Sequence, residues 1–146
     1  MKVRLFTEND LSACTETFVE VFNDEPWNDH WSIEKAKQYL SGFIATPGFK
    51  GMIALKGQTV IGFLFGVHRI WWNGDEFFIH EMCVRSEKQN KGIGTMLLKF
   101  LENELENRNV SHISLLTDRG IPAELFYLKN GFREIERLMF LSKRIQ

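Results

Sequence analysis

The sequence predicts an α/β (α+β) fold in which helices accompany a mostly antiparallel sheet. Segments with apolar residues at every second position alternate with segments whose apolar residues recur at three- and four-residue spacing. These are the periods of strands and of amphipathic helices. The dipeptide Asn73-Gly74 stands between two strand-like segments and is a strong signal of a β-hairpin. A further strand-like segment leads into a glycine-bearing loop and a helical pattern, which adds helices to the hairpin.

The first part of the chain predicts one strand, two helices and three successive strands. Thr7-Glu8-Asn9-Asp10 supplies helix-start residues for the first helix, which ends near Asn23. Ser32 is placed to cap the second helix, and Thr46-Pro47-Gly48 ends it. The Asn73-Gly74 turn makes the last two strands an antiparallel pair. The predicted strands are residues 2–6, 51–55, 59–72 and 76–84.

The remainder of the chain predicts two more helices separated and followed by strands. Apolar residues repeat at helical spacing over residues 93–105, and residues 110–117 predict a strand. Pro122 fits the first turn of a helix that runs to about Lys129, where Asn130-Gly131 supplies a stop. Alternation over residues 132–145 predicts closing strand material.

Composition indicates one soluble domain spanning residues 1–146. The chain has 146 residues, of which 44% are hydrophobic and 25% charged, and its net charge is −1. That balance gives no reason to expect nucleic-acid binding. No signal peptide or long apolar run is visible, so we expect a cytoplasmic protein without membrane association. Two cysteines and four histidines without ligand-like spacing predict no disulfide framework and no metal site.

The loop Gln89-Asn90-Lys91-Gly92-Ile93-Gly94-Thr95 follows a strand and opens a helix. Free backbone N–H groups and the positive end of the helix dipole make such a loop an anion site, most often for phosphate. The dinucleotide fingerprint is excluded because Leu97 stands where its third glycine is needed. The P-loop is excluded because the lysine precedes the glycine.

The remaining pattern, Gln89-x-x-Gly92-x-Gly94, resembles the pyrophosphate loop of the GNAT N-acetyltransferase superfamily. The element order matches that family's fold over nearly the whole chain. The resemblance implies a mixed sheet with helices on both sides, splayed central strands, and acetyl-CoA as cofactor. The alternative is a structural strand–turn–helix whose glycines serve packing alone. The residues that the resemblance assigns to the cofactor from this loop are Gln89, Asn90, Lys91, Gly92, Ile93, Gly94 and Thr95.

A second segment, Pro122 to Phe132, is similar to the family's Ala-x-x-x-Tyr-x-x-x-Gly-Phe helix. In many members that tyrosine protonates the leaving thiolate of the coenzyme, and the matching residue is Tyr127. The resemblance also places Phe126 and Lys129 beside the cofactor. The alternative for Tyr127 is a core residue with a satisfied hydroxyl. Asp118-Arg119-Gly120-Ile121 lacks the asparagine that often precedes this helix, so its usual coenzyme contact is in doubt.

The strand before the loop is expected to hold the pantetheine arm through backbone groups of Met82, Cys83 and Val84, again by resemblance. Family members often carry a base on this strand, and Glu81 is the first candidate and His80 the second. A regular strand would put these two on opposite faces, and a bulge would change that. The alternative for Glu81 is a salt bridge to an arginine, Arg69 or Arg85. Nothing in the sequence supplies the base that a nucleophilic Cys83 would need.

The family's acceptor pocket is built around the connection between the first two helices. Here that connection is polar and aromatic, and carboxylates beside indole faces suit a cationic amine. The alternative is a solvated loop whose tryptophans pack into the core. The candidate substrate-binding residues are Asp24, Glu25, Trp27 and Trp31, with Asp29 between them.

Together these features predict an N-acetyltransferase. It would move an acetyl group from acetyl-CoA to a primary amine of a small molecule or peptide by direct attack in a ternary complex. Aminoglycoside and polyamine acetyltransferases resemble the arrangement, as do peptide and amino-acid ones. The alternative from another class is a non-catalytic acyl-CoA sensor or partner-binding module on the same fold. A homodimer is possible on the sequence, which does not fix the oligomeric state.

Overall fold

The computed structural model describes residues 1–89 and 91–146, and the chain divides into two compact units. Met1–Leu116 contains the sheet and its first helices, and Thr117–Gln146 contains the last helix. The strands are β1 Lys2–Leu5, β2 Phe49–Lys56, β3 Thr59–Arg69, β4 Asp75–Val84 and β5 Val110–Leu115. The helices are α1 Leu11–Phe22, α2 Ile33–Ile44, α3 Ile93–Leu105 and α4 Pro122–Lys129, with short 3-10 turns at Glu8–Asp10 and Ser86–Lys88. No helix among these described residues is long and apolar enough to cross a bilayer.

The five strands form one mixed sheet in the order β1-β2-β3-β4-β5. The first three pairings are antiparallel, and β4 pairs with β5 in parallel. The central strand β3 is buried on both faces over most of its length, as expected for the middle of a three-layer arrangement. This confirms the predicted mixed, mostly antiparallel sheet.

Helices cover both faces of this sheet. Ile53 of β2 belongs to the core that α1 and α2 build with Phe18 and Leu40. Lys50, on the opposite side of the same strand, reaches Glu104 of α3 at 3.4 Å. Since alternate residues of a strand point to opposite faces, the two helical layers lie on opposite sides of the sheet.

The pairing between β4 and β5 covers only the first half of β4. It runs from Asp75 opposite Val110 to Ile79 opposite Leu115, where β5 ends. Residues 80–84 of β4 continue, still paired with β3 on the other side. The sheet is therefore splayed at this point, as predicted, and the backbone of residues 80–84 has an edge that β5 does not cover.

A bulge interrupts the β3–β4 pairing at the point where the splay begins. Phe65 lies opposite Glu81, and Gly66 lies opposite Ile79, so His80 is the extra residue on β4. Glycine is required opposite the bulge, because a Cβ at Gly66 would lie 2.3 Å from the ring of Phe77. Bulges of this kind re-aim side chains near functional sites.

Helix starts agree with the sequence, whereas the β3 strand is shorter than predicted. The hydroxyl of Ser32 accepts a hydrogen bond from the Lys35 N–H at 3.0 Å, which confirms the predicted cap of α2. The strand β3 ends at Arg69 rather than at residue 72. The carboxylate of Asp75 accepts the Trp71 N–H at 3.1 Å, and this side-chain bond replaces the strand pairing that the sequence predicts there.

The second unit contains α4 and an extended tail. The left-handed Gly131, with φ of +92°, follows the end of the helix as predicted. Residues 132–146 contain no strand, so the predicted closing strand is wrong. A strand needs a hydrogen-bonded neighbour, and here the Leu138 N–H instead bonds to the Ile135 carbonyl in a turn at 3.1 Å. Alternating residues in this tail, such as Met139, stay exposed.

Candidate functional site

The loop before α3 positions a glycine in a conformation that other residues rarely adopt. Gly92 has φ of +81° and lies immediately before Ile93, the first residue of α3. Among the described residues, nothing outside its immediate chain neighbours lies within 4 Å of the position where a Cβ would stand. The first-turn N–H groups of an α-helix have no intrahelical acceptor, and helix starts of this kind are suited to anions.

The other predicted loop residues divide into different environments. The side-chain amide of Gln89 donates to the Val84 carbonyl at 2.9 Å, which ties the loop to the end of β4. Lys91 is exposed, and Ile93 is buried in the core. Gly94 and Thr95 lie in the first turn of α3. Asn90 lies outside the described residues.

Three lysines gather beside this loop. The pKa of Lys88 is lowered, first by the nearby ammonium group of Lys56 and further by the like charge of Lys91. Lys56 ends β2, and Lys88 lies in the 3-10 turn after β4. Mutual repulsion among cations favours an anion in their midst. Sequence reasoning included Lys91 and missed Lys56, because Lys56 is distant in the chain.

The predicted pantetheine-binding residues lie on the splayed half of β4. Met82 pairs with Leu64 and Cys83 with Phe63 on β3, and Val84 is the last residue of the strand. Cys83 is buried, and this burial raises the pKa of its thiol well above the usual value. A protonated, buried thiol is a poor nucleophile, so the surroundings of Cys83 do not favour sulfur chemistry.

A hydrogen bond between Tyr39 of α2 and Glu81 of β4 joins the helical layer to the strand. The Tyr39 hydroxyl donates to Oε2 of Glu81. Burial raises the pKa of Glu81 to about 7, although the bond from Tyr39 opposes this rise and the charge of Asp29 adds to it. Burial also raises the pKa of Tyr39, so Tyr39 remains a phenol near neutral pH. Glu81 therefore titrates in the range where a general base functions.

His80 also faces α2, next to Glu81. Its ring stacks on Phe43 of α2 with centroids 4.7 Å apart, and it contacts Phe78 at 4.8 Å. Burial and the charge of Arg69 lower the pKa of His80, which favours the neutral imidazole. In a regular strand these consecutive residues would point to opposite faces; the bulge at His80 lets both reach α2.

The alternative of a structural salt bridge at Glu81 does not appear in the described part of the chain. Arg85 forms an ion pair with Glu20 of α1 and donates from Nε to the Val60 carbonyl at 2.9 Å. The hydrogen-bond partner of Glu81 is Tyr39. A carboxyl group with a pKa of about 7 is not held as an anion by a nearby cation.

Trp31 connects the predicted acceptor loop to Tyr39. Its ring lies 5.2 Å from the Tyr39 ring, and its indole N–H donates to Asp29 at 3.0 Å. Asn23, at the end of α1, holds the Trp31 backbone on both sides, by accepting its N–H at 2.8 Å and donating to its carbonyl at 2.9 Å. Trp31 and Asp29 thus lie beside Tyr39, whose hydroxyl bonds to Glu81.

The other predicted acceptor residues have different surroundings. Trp27 packs edge-on against Phe22 of α1 at 4.8 Å, which resembles the core role considered for it. Asp24 accepts the Glu25 N–H at 2.9 Å, and both residues are exposed. Among the residues described, these three have no hydrogen bond or ring contact with Tyr39 or Glu81.

In the second unit, Tyr127 lies on α4 between two aromatic neighbours. Its ring contacts Phe126 at 5.2 Å and Phe132 at 5.4 Å, both edge-on. Lys129, in the last turn of α4, is exposed. The Tyr127 ring therefore packs against one ring of α4 and one ring of the segment that follows it.

Tyr39 and Asn23 are site residues that sequence reasoning missed. Tyr39 lies four residues before Phe43 on α2, at the edge of the helix's apolar face. From the sequence, a tyrosine at such a position is interpreted as a packing residue. Its role depends on the bulge that turns Glu81 towards α2, and no sequence signal fixes a bulge. Within the described residues, no group of three or more His, Cys, Asp or Glu side chains is arranged to hold a metal ion.

Comparison with known proteins connects this geometry to one family. The family model described as "Acetyltransferase (GNAT) family" matches residues 9–132. An uncharacterized N-acetyltransferase of Methanocaldococcus jannaschii is 30% identical over 136 residues, which cover 92% of this chain and 79% of the relative.

Two solved structures share the fold at low sequence identity. A possible acetyltransferase from Clostridium difficile 630 superposes with a TM-score of 0.83 at 17% identity, over 99% of this chain and 98% of that one. An aminoglycoside acetyltransferase from an uncultured soil metagenomic sample superposes with a TM-score of 0.76 at 21% identity, over 99% and 98% of the two chains.

Proposed function

Because this chain belongs to the GNAT family of acetyltransferases and is therefore an acyltransferase, we propose that it acetylates a primary amine of a cationic small molecule, using acetyl-CoA. The observation that carries the proposal is the half of β4 that does not pair with β5. It lies between a titratable carboxyl group and the start of α3, which follows a glycine. These features match the three needs of the reaction, which are a base, a thioester held along a strand, and an anchor for phosphate.

The residues of this chain fit acetyl-CoA. The helix start after Gly92 and the nearby Lys88 and Lys91 suit the pyrophosphate. The free edge of residues 82–84 can pair with the amide groups of pantetheine, as another strand would. When bound, acetyl-CoA supplies an acetyl group activated as a thioester. Backbone N–H groups of β4 can polarise the carbonyl that the amine attacks.

Two side chains are proposed to move protons. Glu81 takes one proton from the acceptor's ammonium, so that the neutral amine forms the new N–C bond as the C–S bond breaks. The nitrogen releases its second proton to solvent as the amide forms. With a pKa of about 7, half of Glu81 is ready to accept a proton at neutral pH. Tyr127 is proposed to give a proton to the departing thiolate, on the strength of its helix motif. His80 remains the second candidate for the base.

The acceptor is proposed to be cationic. Asp29, fixed by the Trp31 indole, and Glu81 present two carboxyl groups, and the rings of Trp31, Tyr39 and Phe43 offer aromatic faces. Aromatic faces and carboxylates attract ammonium groups. The soil-metagenome neighbour is an aminoglycoside acetyltransferase, which supports a polyamine-like acceptor by analogy of fold.

The alternative function is a non-catalytic acyl-CoA sensor. A sensor needs the loop and the strand edge, but it has no use for a carboxyl group whose pKa is raised to about 7. The Tyr39–Glu81 pair therefore favours an enzyme over a sensor.

A panel of amines with acetyl-CoA tests the proposal through release of the coenzyme thiol. We expect release well above hydrolysis with diamines, polyamines or aminoglycosides, together with a mass increase of one acetyl group on the amine. Neutral alcohols and N-acetylated forms of the same amines serve as matched controls. Tight binding of acetyl-CoA without amine-dependent thiol release would instead support the sensor.

A further inference from the structure

The hydroxyl of Tyr39 is hydrogen-bonded to Glu81, a contact that a tyrosine serving only in packing does not need. Glu81 lies on the bulged strand, and the hydroxyl of Tyr39 donates to one of its two oxygens. The other oxygen accepts no hydrogen bond from any side chain in the described part of the chain. A carboxyl group with one oxygen occupied has one oxygen left to receive a proton.

The ring of Tyr39 is held in place by three neighbours. Phe18 lies 5.7 Å away, Trp31 5.2 Å and Phe43 4.9 Å, measured between ring centroids. Trp31 is in turn held by two hydrogen bonds from the Asn23 side chain. Aromatic rings packed in this way keep a single rotamer, so the hydroxyl is delivered to a fixed point.

We propose that Tyr39 is the positioning residue of the reaction: its hydroxyl fixes the Glu81 carboxylate by one oxygen and leaves the other directed at the acceptor's ammonium. The inference rests on the proposed function of Glu81 as base. The proton of the acceptor passes to the second oxygen of Glu81, while the Tyr39 hydroxyl keeps its own proton throughout. No oxidant, reductant or further reactant is needed for this transfer.

Removal of the hydroxyl has a defined electrostatic consequence. The hydrogen bond from Tyr39 favours the ionised form of Glu81 and lowers its pKa, in opposition to burial. The other titratable groups near Glu81 are Asp29 from the loop before α2 and His80 and Cys83 on β4 itself. Asp29 repels the carboxylate and Cys83 is buried in the strand, so neither replaces the lost donor in Tyr39→Phe, and the ring of His80 is stacked on Phe43.

The test compares kcat/KM of Tyr39→Phe with kcat/KM of the parent protein at each pH. The ratio of these two values cancels the titration of the amine itself. We expect the pKa of Glu81 to rise by about one unit, the effect of one hydrogen bond to a charged group. The variant should therefore be roughly 5- to 10-fold slower near pH 7 and nearly equal to the parent near pH 9. Phe22→Leu, which disturbs the same aromatic packing, is the control and should lower activity by the same factor at all pH values.

A second readout separates this inference from the proposed function. The pKa of Glu81 is measured directly by NMR of ¹³C-labelled glutamate carboxyls, with Glu81→Gln used to assign the signal. A raised pKa in Tyr39→Phe supports the positioning role. An unchanged Glu81 pKa together with a pH-independent rate loss overturns it. If Glu81→Gln keeps parent activity at all pH values, the base assignment fails, and the NMR result still decides whether Tyr39 controls Glu81.

Discussion

Two consecutive side chains on β4 differ in what they can do with a proton. The ring of His80 stacks on Phe43, and the partial burial of His80 together with the charge of Arg69 holds its pKa below the usual value. Glu81 is partly buried, hydrogen-bonded to Tyr39, and has its pKa raised to about 7. Near neutral pH the imidazole of His80 is in its neutral form and part of Glu81 is ionised, so either side chain can accept a proton. The charge of Asp29 acts on Glu81, and Tyr39, which bonds to Glu81, packs against Trp31; for this reason Glu81 is the base that we propose for a cationic amine.

The raised pKa of Glu81 predicts a pH dependence of stability. The folded state holds the Glu81 proton more tightly than the unfolded chain does, whose carboxyl has the ordinary value of 4.5. The stabilisation is complete below that value and is lost as pH rises towards 7. Glu81→Gln, which stays neutral, should gain about 2 to 3 kcal/mol in unfolding free energy relative to the parent between pH 4.5 and pH 8. Urea denaturation at both pH values measures this difference; a constant difference would contradict the raised pKa.

The hydroxyl of Tyr127 on α4 is the proposed proton donor to the leaving thiolate. Tyr127→Phe keeps the ring that contacts Phe126 and Phe132, so α4 should stay folded. Loss of a general acid slows the step that needs it, and since water can partly replace the donor we expect kcat to fall about 10²-fold. Calorimetry should find coenzyme affinity little changed.

An acetyl thioester with a more acidic thiol provides the control for that variant. A less basic thiolate needs less protonation, so such a thioester should restore most of the lost rate. Parent-like turnover of Tyr127→Phe with acetyl-CoA, or a loss confined to coenzyme binding, would make Tyr127 a packing residue instead.

At the scale of elements, the sequence predicted most helices and strands because their apolar periods are unbroken. The α2 cap at Ser32 and the end of α4 at Gly131 follow from local chemistry that needs no tertiary information. The bulge at His80 could not be predicted, since it depends on how β3 and β4 register after a hairpin. Tyr39 was missed for the same reason, because only the bulge turns Glu81 towards α2.

The proposed binding of coenzyme A at the start of α3 can be tested by changing Gly92. Gly92→Glu places a carboxylate at the mouth of an anion site and strains a backbone with φ of +81°. We expect calorimetric affinity for coenzyme A to fall at least 10²-fold, because charge repulsion and lost backbone approach act together.

Gly57 provides the matched control for that change. It also has a positive φ, of +64°, and open space where a Cβ would stand, and it lies in the turn between β2 and β3. Gly57→Gln should carry similar backbone strain without placing a carboxylate beside Lys56, and it should leave coenzyme affinity within a few-fold of the parent. Equal affinity of Gly92→Glu and Gly57→Gln would remove the loop from the cofactor site.

At the scale of the molecule, the two units differ in what each can support. Met1–Leu116 contains the sheet and a continuous apolar core, whereas Thr117–Gln146 contains one short helix and a tail whose apolar residues, such as Phe140 and Leu141, are exposed. Alternation in the tail is a pattern that sequence reasoning reads as strand, but strand formation also depends on a partner edge that the pattern does not reveal.

The small size of the second unit predicts that the chain unfolds as one domain. Residues 117–146 are fewer than the roughly 40 that a domain needs to fold without metals, disulfides or oligomerisation. We therefore expect them to unfold together with the rest of the chain in a single cooperative transition. Trp27, Trp31, Trp71 and Trp72 all lie in the first unit, so tryptophan fluorescence reports that unit alone. A ¹⁹F label on Phe140 reports the second unit, and coincident urea midpoints from the two probes are expected. Separate midpoints would instead divide residues 1–146 into two domains.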